Sequence, residues 1–322
     1  MQQWEKAMGQ IPKLLIHIGY HKTGSTWLQQ VLFKDEKAGF LTPWGSQSSQ
    51  AVIQFLVPNA YRFSPESAKK TFEVGFQEAQ KRGLVPVLSH EALSDNFVSG
   101  TYQGKEVADR IHAVFPDSRI LIIIREQQSM ILSSYRQYIK QGGIETIQQY
   151  IGADINKPAF KPTCRLDYLE YDLPITYYQN LFGAANILVL PLELLSRDKK
   201  SFVQKIINFA GIDINAGDIP DIFSRPKNIG YKGGAVAVRR RLNFFLDKPT
   251  YARRQGKSSL ADHTTAKLSV VVERLLPQGI HQRVEDDWEQ FIAEYVGDRF
   301  KDSNQRTSHL IGMDLADFGY PC

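Results

Sequence analysis

Residues 13–30, KLLIHIGYHKTGSTWLQQ, constrain the fold more than any other stretch of this 322-residue chain. Leu14, Leu15, Ile16 and Ile18 form a short apolar run with the length of a buried strand. Gly19 to Gly24 follow as a tight turn, and Ser25-Thr26-Trp27-Leu28 have the character of a first helical turn. A strand feeding a glycine turn and then a helix N-terminus makes an anion site. The first N–H groups of the helix have no partner inside it, and the helix dipole adds partial positive charge there. Lys22 places a full positive charge in the same turn, so the stretch is expected to cradle a phosphate-like group.

The rest of the chain repeats the strand-then-helix pattern. Trp27 to Phe33 continues as a helix with Leu28, Val31 and Leu32 at helical spacing. Residues 34–62 are polar and turn-rich and are expected to be irregular. Ser64 and Pro65 start a helix that Gly83 ends. Leu84 to Ser89 is a candidate strand, although Pro86 cannot donate to a central ladder. A helix over Val107 to Phe115 precedes Arg119-Ile-Leu-Ile-Ile-Ile124, an all-apolar run of the kind parallel sheets bury on both faces. Helices are expected over Gln127–Lys140 and Leu173–Phe182, an open loop over 142–165, a strand over Ile187–Leu190, and a helix over Lys199–Ala210 closed by Gly211. Later helix candidates are Val270–Leu276 and Glu285–Phe300. The pattern predicts an α/β, P-loop-like three-layer fold with a central, mainly parallel sheet flanked by helices. No linker or repeat divides the chain. One domain over 1–322 is expected, with core βα units at 13–211 and a helical, ligand-closing part at 212–322.

Composition narrows the partners. A net charge of +5 favours anionic ligands and is too small to point to nucleic acid. Cys164 and Cys322 have no metal-ligand or disulfide-framework spacing, which suits a reducing compartment. The first residues lack the pattern of a signal peptide, and no apolar stretch reaches the roughly 18 residues of a membrane span. A cytoplasmic protein is expected; no residue pattern addresses its oligomeric state.

Set beside the nucleotide P-loop, G-x-x-x-x-G-K-[ST], the turn keeps Gly19 and Gly24 but carries its lysine inside the loop, at position 22. Arg125 directly follows an apolar strand, and Ser133 lies on the next helix; both suit a phosphate. In these features the chain resembles the sulfotransferases that use 3′-phosphoadenosine-5′-phosphosulfate (PAPS). Their first signature, P-K-[ST]-G-[ST]-[ST]-[WS]-L, stands here as His21-Lys22-Thr23-Gly24-Ser25-Thr26-Trp27-Leu28, with histidine for proline. Their second is an arginine after a strand with a serine eight residues on. Ile187 to Leu195, ILVLPLELL, is similar to the family's V-L-x-Y-E-D-L strand, with Pro191 and Leu194 as departures. The tail Asn304 to Tyr320 is similar to the end of bacterial, carbohydrate-type members.

The resemblance implies that Lys22 meets the bridging oxygen of the phosphosulfate. Thr23, Gly24, Ser25, Thr26 and Trp27 would hold the 5′-phosphate, and Arg125 with Ser133 the 3′-phosphate. Lys232 and Gly233 are the candidates for a further basic glycine turn, with a plain surface loop as the alternative. No metal is implied. Sulfuryl transfer to a hydroxyl or amine needs a proton acceptor. His90 and Glu91 both sit at the end of the 84–89 strand; Glu91 is the favoured base and His90 its competitor. Arg239 to Arg241 with Arg253 and Arg254 suit either an acidic glycan or a solvated helix face. A carbohydrate or a small metabolite is the expected acceptor, and 3′-phosphoadenosine-5′-phosphate (PAP) the nucleotide product. Two other functions remain open at this point. A P-loop kinase would need a lysine after Gly24 and an aspartate ending a later strand, where Ser25 and Arg125 stand. A nucleotide-binding protein without catalysis would keep the cradle and lose the base.

Overall fold

The computed structural model describes residues 13–154, 160–219, 233–246 and 275–322. β1 (Leu15–His17) is wholly buried and leads through the turn to α1 (Ser25–Trp27). α1 does not continue as a regular helix to Phe33. Leu28–Leu32 form a π turn in which Phe33 N–H donates to Leu28 O at 2.8 Å, and the wider turn buries Leu28, Gln29 and Leu32 together. The 34–62 region is also more ordered than its composition suggests. It contains β2 (Phe40–Leu41) and α2 (Ser49–Phe55), whose N-cap Ser48 accepts from Ala51 N–H at 3.3 Å.

α3 (Pro65–Arg82) starts and stops where its sequence signals it. Ser64 Oγ accepts from Ser67 N–H at 3.2 Å, and Gly83 takes the left-handed conformation at φ 65°. β3 (Val85–Ser89), α4 (Gly104–Val114), β4 (Arg119–Ile124) and α5 (Gln127–Lys140) follow. The expected 142–165 loop holds α6 (Ile147–Ile151), started by a Thr146–Gln149 capping box. α7 (Asp172–Phe182) leads to β5 (Ile187–Pro191). The strand ends at Pro191, not Leu195, because residues from Leu192 wind into α8 (Leu192–Arg197). α9 (Lys199–Ala210), α10 (Gly233–Leu246), α11 (Gln278–Val296) and α12 (Lys301–Ile311) complete the described elements. The Val270–Leu276 helix falls almost entirely outside the described residues, and Lys232, Arg253 and Arg254 lie outside them too.

The five described strands form one parallel sheet in the order β2-β3-β1-β4-β5. Alternating residues supply its two faces. Leu14, Ile16, Leu88, Ile120 and Ile122 face a core shared with helices α3, α4, α5 and α7. Leu15, Val87, Leu121, Ile123 and Leu190 face a second core with Leu28, Phe33, Phe202 and Ile206. Pro86 is tolerated inside this sheet for a geometric reason. Val85 N–H donates to Gly39 O on the β2 side, so backbone alternation aims the position of the missing Pro86 donor towards β1. Pairing with β1 starts only at Leu15↔Val87, so no ladder bond is lost there.

The strand order sets the place of the site. From central β1 the chain first runs to the edge strand β2 and back inward to β3, then crosses to β4 and β5 on the other side. In open parallel sheets the crevice at such a switch, beyond the strand C-terminal ends, is where ligands bind. The segments leaving β1, β3 and β4 carry Lys22, Glu91 and Arg125 respectively. α10 and α11 pack on α5 beside this end, and α12 packs on α7.

Candidate functional site

The turn after β1 is backbone-strained at its charged residue. Lys22 has φ 70°, the only left-handed non-glycine among the described residues, followed by Gly24 at φ 79°. Such strain costs on the order of 1–3 kcal/mol and persists only where the surroundings impose it. Here Thr23 Oγ1 donates to Tyr20 O at 2.5 Å, and Arg125 Nη1 donates to Lys22 O at 3.2 Å. The left-handed conformation at Gly24 is what favours glycine, since the one tight approach of a Cβ there, 2.9 Å to Leu192 Cδ1, is to a side-chain methyl that can move. Ser25 Oγ and Trp27 Nε1 are buried with no hydrogen-bond partner, whereas Thr26 is exposed. A buried hydroxyl without a protein partner beside a helix start is suited to donate to an anion oxygen.

Cations converge on this turn. Burial, then Lys140, Arg125 and Arg136, all push the Lys22 ammonium below the ordinary lysine value. Arg125 is half-buried, and burial lowers its value too, against the opposing pull of Glu193. Ser133, Arg136 and Lys140 recur at helical spacing on α5, so one face of that helix carries the serine and two cations the sequence reading overlooked. The spacing from Ser133 was the available signal. Arg136 Nη2 meets Glu285 Oε1 at 2.9 Å, and the same oxygen accepts from Gly233 N–H at 2.7 Å. Gly233 is therefore the first residue of α10, held next to α5 by a carboxylate.

The arginine run on α10 does structural work. Arg239 Nη2 donates to Lys140 O at 2.8 Å and Arg240 Nη1 to Ile144 O at 3.3 Å, while Asn243 Nδ2 donates to Ile139 O and Gly143 O. These groups satisfy carbonyls at and just past the C-terminus of α5. Arg239 and Arg240 are thus committed to backbone, which counts against the glycan alternative for them. The tail from Asn304 to Tyr320 is tied to the segment that follows Arg125. Gln127 Nε2 donates to Asn304 Oδ1 at 2.6 Å, and Tyr320 OH to Glu193 Oε2 at 3.1 Å. Glu193 Oε1 accepts from Glu126 N–H at 3.1 Å.

Past β3 the two base candidates differ in what they can do. His90 caps a short helical turn: its Nδ1 accepts Ala92 N–H at 3.0 Å. The neutral ring therefore carries its proton on Nε2, leaving a donor and no free lone pair. Burial also holds His90 below the usual imidazole value. Glu91 is gripped by two side-chain amides that the sequence does not advertise, Gln29 Nε2 on Oε2 at 3.0 Å and Gln47 Nε2 on Oε1 at 2.8 Å. Burial would raise its pKa, but the Gln29 bond, its own backbone and the nearby His90 and His21 outweigh this and hold it below the usual carboxylate value. Glu91 is thus an ionised carboxylate. His21, where the resembled family has proline, is a neutral imidazole pushed down to about 4 chiefly by burial, with Nε2 buried and unpartnered.

His17 on β1 completes this buried system. Its Nδ1 lies 2.8 Å from Ser89 Oγ, and burial pushes its pKa down to about 4 against the pull of Glu91. The folded state refuses a proton that the unfolded chain takes near pH 6.5. Stability is therefore full above that pH and falls as pH drops towards 4. The loss from His17 reaches roughly 3 kcal/mol at the acid end and about 2 kcal/mol by pH 5. Urea unfolding of His17→Gln at pH 7.5 and 5 is expected to show a smaller acid loss by about that 2 kcal/mol; an equal loss in both proteins would contradict it.

Comparisons with known proteins agree with this architecture. The family model described as "Sulfotransferase family" matches residues 15–216, more than half of the chain. No curated protein matches by sequence. A sulfotransferase from Alicyclobacillus acidocaldarius is similar over 96% of this chain and 98% of its own, at 14% identity and a TM-score of 0.53, which supports the shared fold. The sulfotransferase domain of the Synechococcus PCC 7002 olefin synthase matches 83% of this chain and 96% of its own at 13% identity, with a TM-score of 0.39. Mouse sulfotransferase SULT7A1, solved with PAP, matches 86% of this chain and 90% of its own at 12% identity, with a TM-score of 0.37. With its strained lysine turn at the switch point of a parallel sheet and a family match spanning β1 to the end of the βα core, the chain belongs to the sulfotransferase family.

Proposed function

We propose that the protein transfers a sulfuryl group from PAPS to a hydroxyl or amine of a carbohydrate or small-molecule acceptor. The observation that carries this reading is the meeting, at one sheet switch point, of a cation-ringed anion turn and a carboxylate held ionised. When bound, the donor supplies an activated sulfuryl group and a phosphate that departs with the electrons of the broken S–O bond. Gly24, Ser25, Thr26 and the start of α1 hold its 5′-phosphate, with the unpartnered Ser25 Oγ as one contact. Arg125 and Ser133 hold its 3′-phosphate, with Arg136 adding positive potential near Arg125. Lys22 presents its ammonium to the oxygen on which negative charge accumulates. Glu91 takes the acceptor's proton, and His90 Nε2, which carries the ring hydrogen, donates to an acceptor oxygen. No residue in this scheme needs a metal ion. Unpaired Cys164 and Cys322 suit a cytoplasmic setting.

Thermal unfolding with nucleotides tests the donor. PAP without magnesium is expected to raise the melting temperature, by the equivalent of about 2.7 kcal/mol at a hundredfold excess over Kd. ATP should do so much less, since it lacks the 3′-phosphate that Arg125 and Ser133 would hold. Stabilisation by ATP with magnesium but not by PAP would point to a kinase instead.

A further inference from the structure

Gln29 lies seven residues past Lys22 and is 3% exposed, a long polar side chain buried among Leu28, Leu32 and Phe33. Both hydrogens of its amide nitrogen are engaged, one by Ser89 Oγ at 3.1 Å and one by Glu91 Oε2 at 3.0 Å. A carboxylate only accepts, so the nitrogen, not the oxygen, must face Glu91. Ser89 Oγ is itself fixed by His17 Nδ1 at 2.8 Å. The π turn brings Gln29 here: its i→i+5 bond from Phe33 to Leu28 widens the helix where Gln29 turns inward. The segment that carries the site's lysine thus also carries the amide that grips its carboxylate.

We propose that Gln29 is a positioning residue that fixes the Glu91 carboxylate relative to the Lys22 turn. This rests on the reading of Glu91 as the proton acceptor. Gln47 grips the other oxygen, but from an exposed loop position, so it orients Glu91 without the exclusion of water that strengthens the Gln29 bond. With one lone pair of each oxygen engaged by an amide, the others remain for the acceptor's proton. The titratable groups facing Glu91 are His90 beside it, His21 from the Lys22 turn and His17 on β1. All three are held below the usual imidazole value, His17 and His21 at about 4.

The test is the pH profile of kcat/KM in the full chain for Gln29→Met and Gln29→Glu, with PAP-induced thermal shift measured on the same samples. Gln29→Met removes the donor at nearly constant volume. Its acid limb should rise by about half a unit to one unit, and kcat at neutral pH should fall about tenfold. Gln29→Glu sets a second carboxylate against Glu91, and its limb should rise by more than about one unit. Its carboxylate can accept from Ser89 Oγ where Gln29 donates to it, so it carries the test if Gln29→Met does not fold. The PAP shift should match wild type in both. A limb that stays in place, or a loss of turnover equal at every pH, overturns the role of Gln29. Glu91→Gln separates the two levels: near-normal turnover there sinks the base and this proposal together. A large loss there with an unmoved limb in both Gln29 variants sinks this proposal alone.

Discussion

Lys22→Met is expected to cut turnover by at least about 10³-fold while leaving the ligand-free protein no less stable than wild type. Methionine keeps the length of the stem and removes the charge. Among the described residues the influences on that charge are unfavourable: burial first, then the cations Lys140, Arg125 and Arg136, all disfavour it. Removing it relieves like-charge repulsion in a half-buried site, so the melting temperature without ligand should hold or rise. The loss appears only where negative charge builds on the departing phosphate, and one preorganised donor in such a place is worth about 10²–10³ in kcat before its full charge is counted. PAP should still bind, because Arg125, Ser133 and the start of α1 are untouched. Lys22→Gly adds a second handle. It removes the same charge and also the left-handed strain at φ 70°, so it should be more stable than Lys22→Met by about 1 kcal/mol. Turnover within tenfold of wild type in Lys22→Met would mean that the lysine only binds. A clear drop in ligand-free stability would mean that it is a structural residue.

This opposition between stability and use explains why the site was only partly legible in the sequence. Buried parallel strands read as continuous apolar runs, so β1, β4 and β5 stood out, and chemistry just past their ends followed from sheet topology. Lys22 and Arg125 stood out on that ground, whereas Glu91, past the Pro86-containing strand, was favoured over His90 only through the family resemblance. Helices with strong punctuation were also readable, as Ser64-Pro65 with Gly83 and the Gly211 stop show. Short elements were not. β2 has two residues, and α2 offers only Ala51 and Phe55 as buried positions, too few to show a period. The partners that tune the site were illegible for another reason. Gln29 and Glu91 are 62 residues apart, and Arg136 finds Glu285 on a distant helix, so no local spacing encodes either pair. A polar residue between Leu28 and Leu32, in the stretch that folds as the π turn after α1, was the one hint of Gln29. His21 stood as an oddity in its motif; the fold sets it within electrostatic reach of Glu91, His90 and Lys22, with a ring nitrogen still unpartnered.

Glu91→Gln is expected to lower kcat by about 10²–10⁴, the usual worth of a general base, and His90→Asn by no more than about tenfold. The comparison is clean because asparagine is itself a good N-cap. His90→Asn therefore preserves the bond to Ala92 N–H and removes only the ring. The ring's Nδ1 is already an acceptor for that N–H, so for His90 to take a proton there it would have to abandon its cap, and Nε2 has no lone pair in the neutral tautomer. Glu91 meets no such obstacle, being ionised with lone pairs to spare. In Glu91→Gln the introduced amide faces two amide donors and can satisfy only one with its oxygen. Gln47 is the exposed partner and can turn to water, so the conflict should cost little stability while the proton acceptor is lost. Unfolding curves near wild type alongside the fall in kcat would establish that the effect is chemical. If His90→Asn instead loses as much turnover as Glu91→Gln, the proton passes through the imidazole, and the cap at Ala92 must open during each turnover.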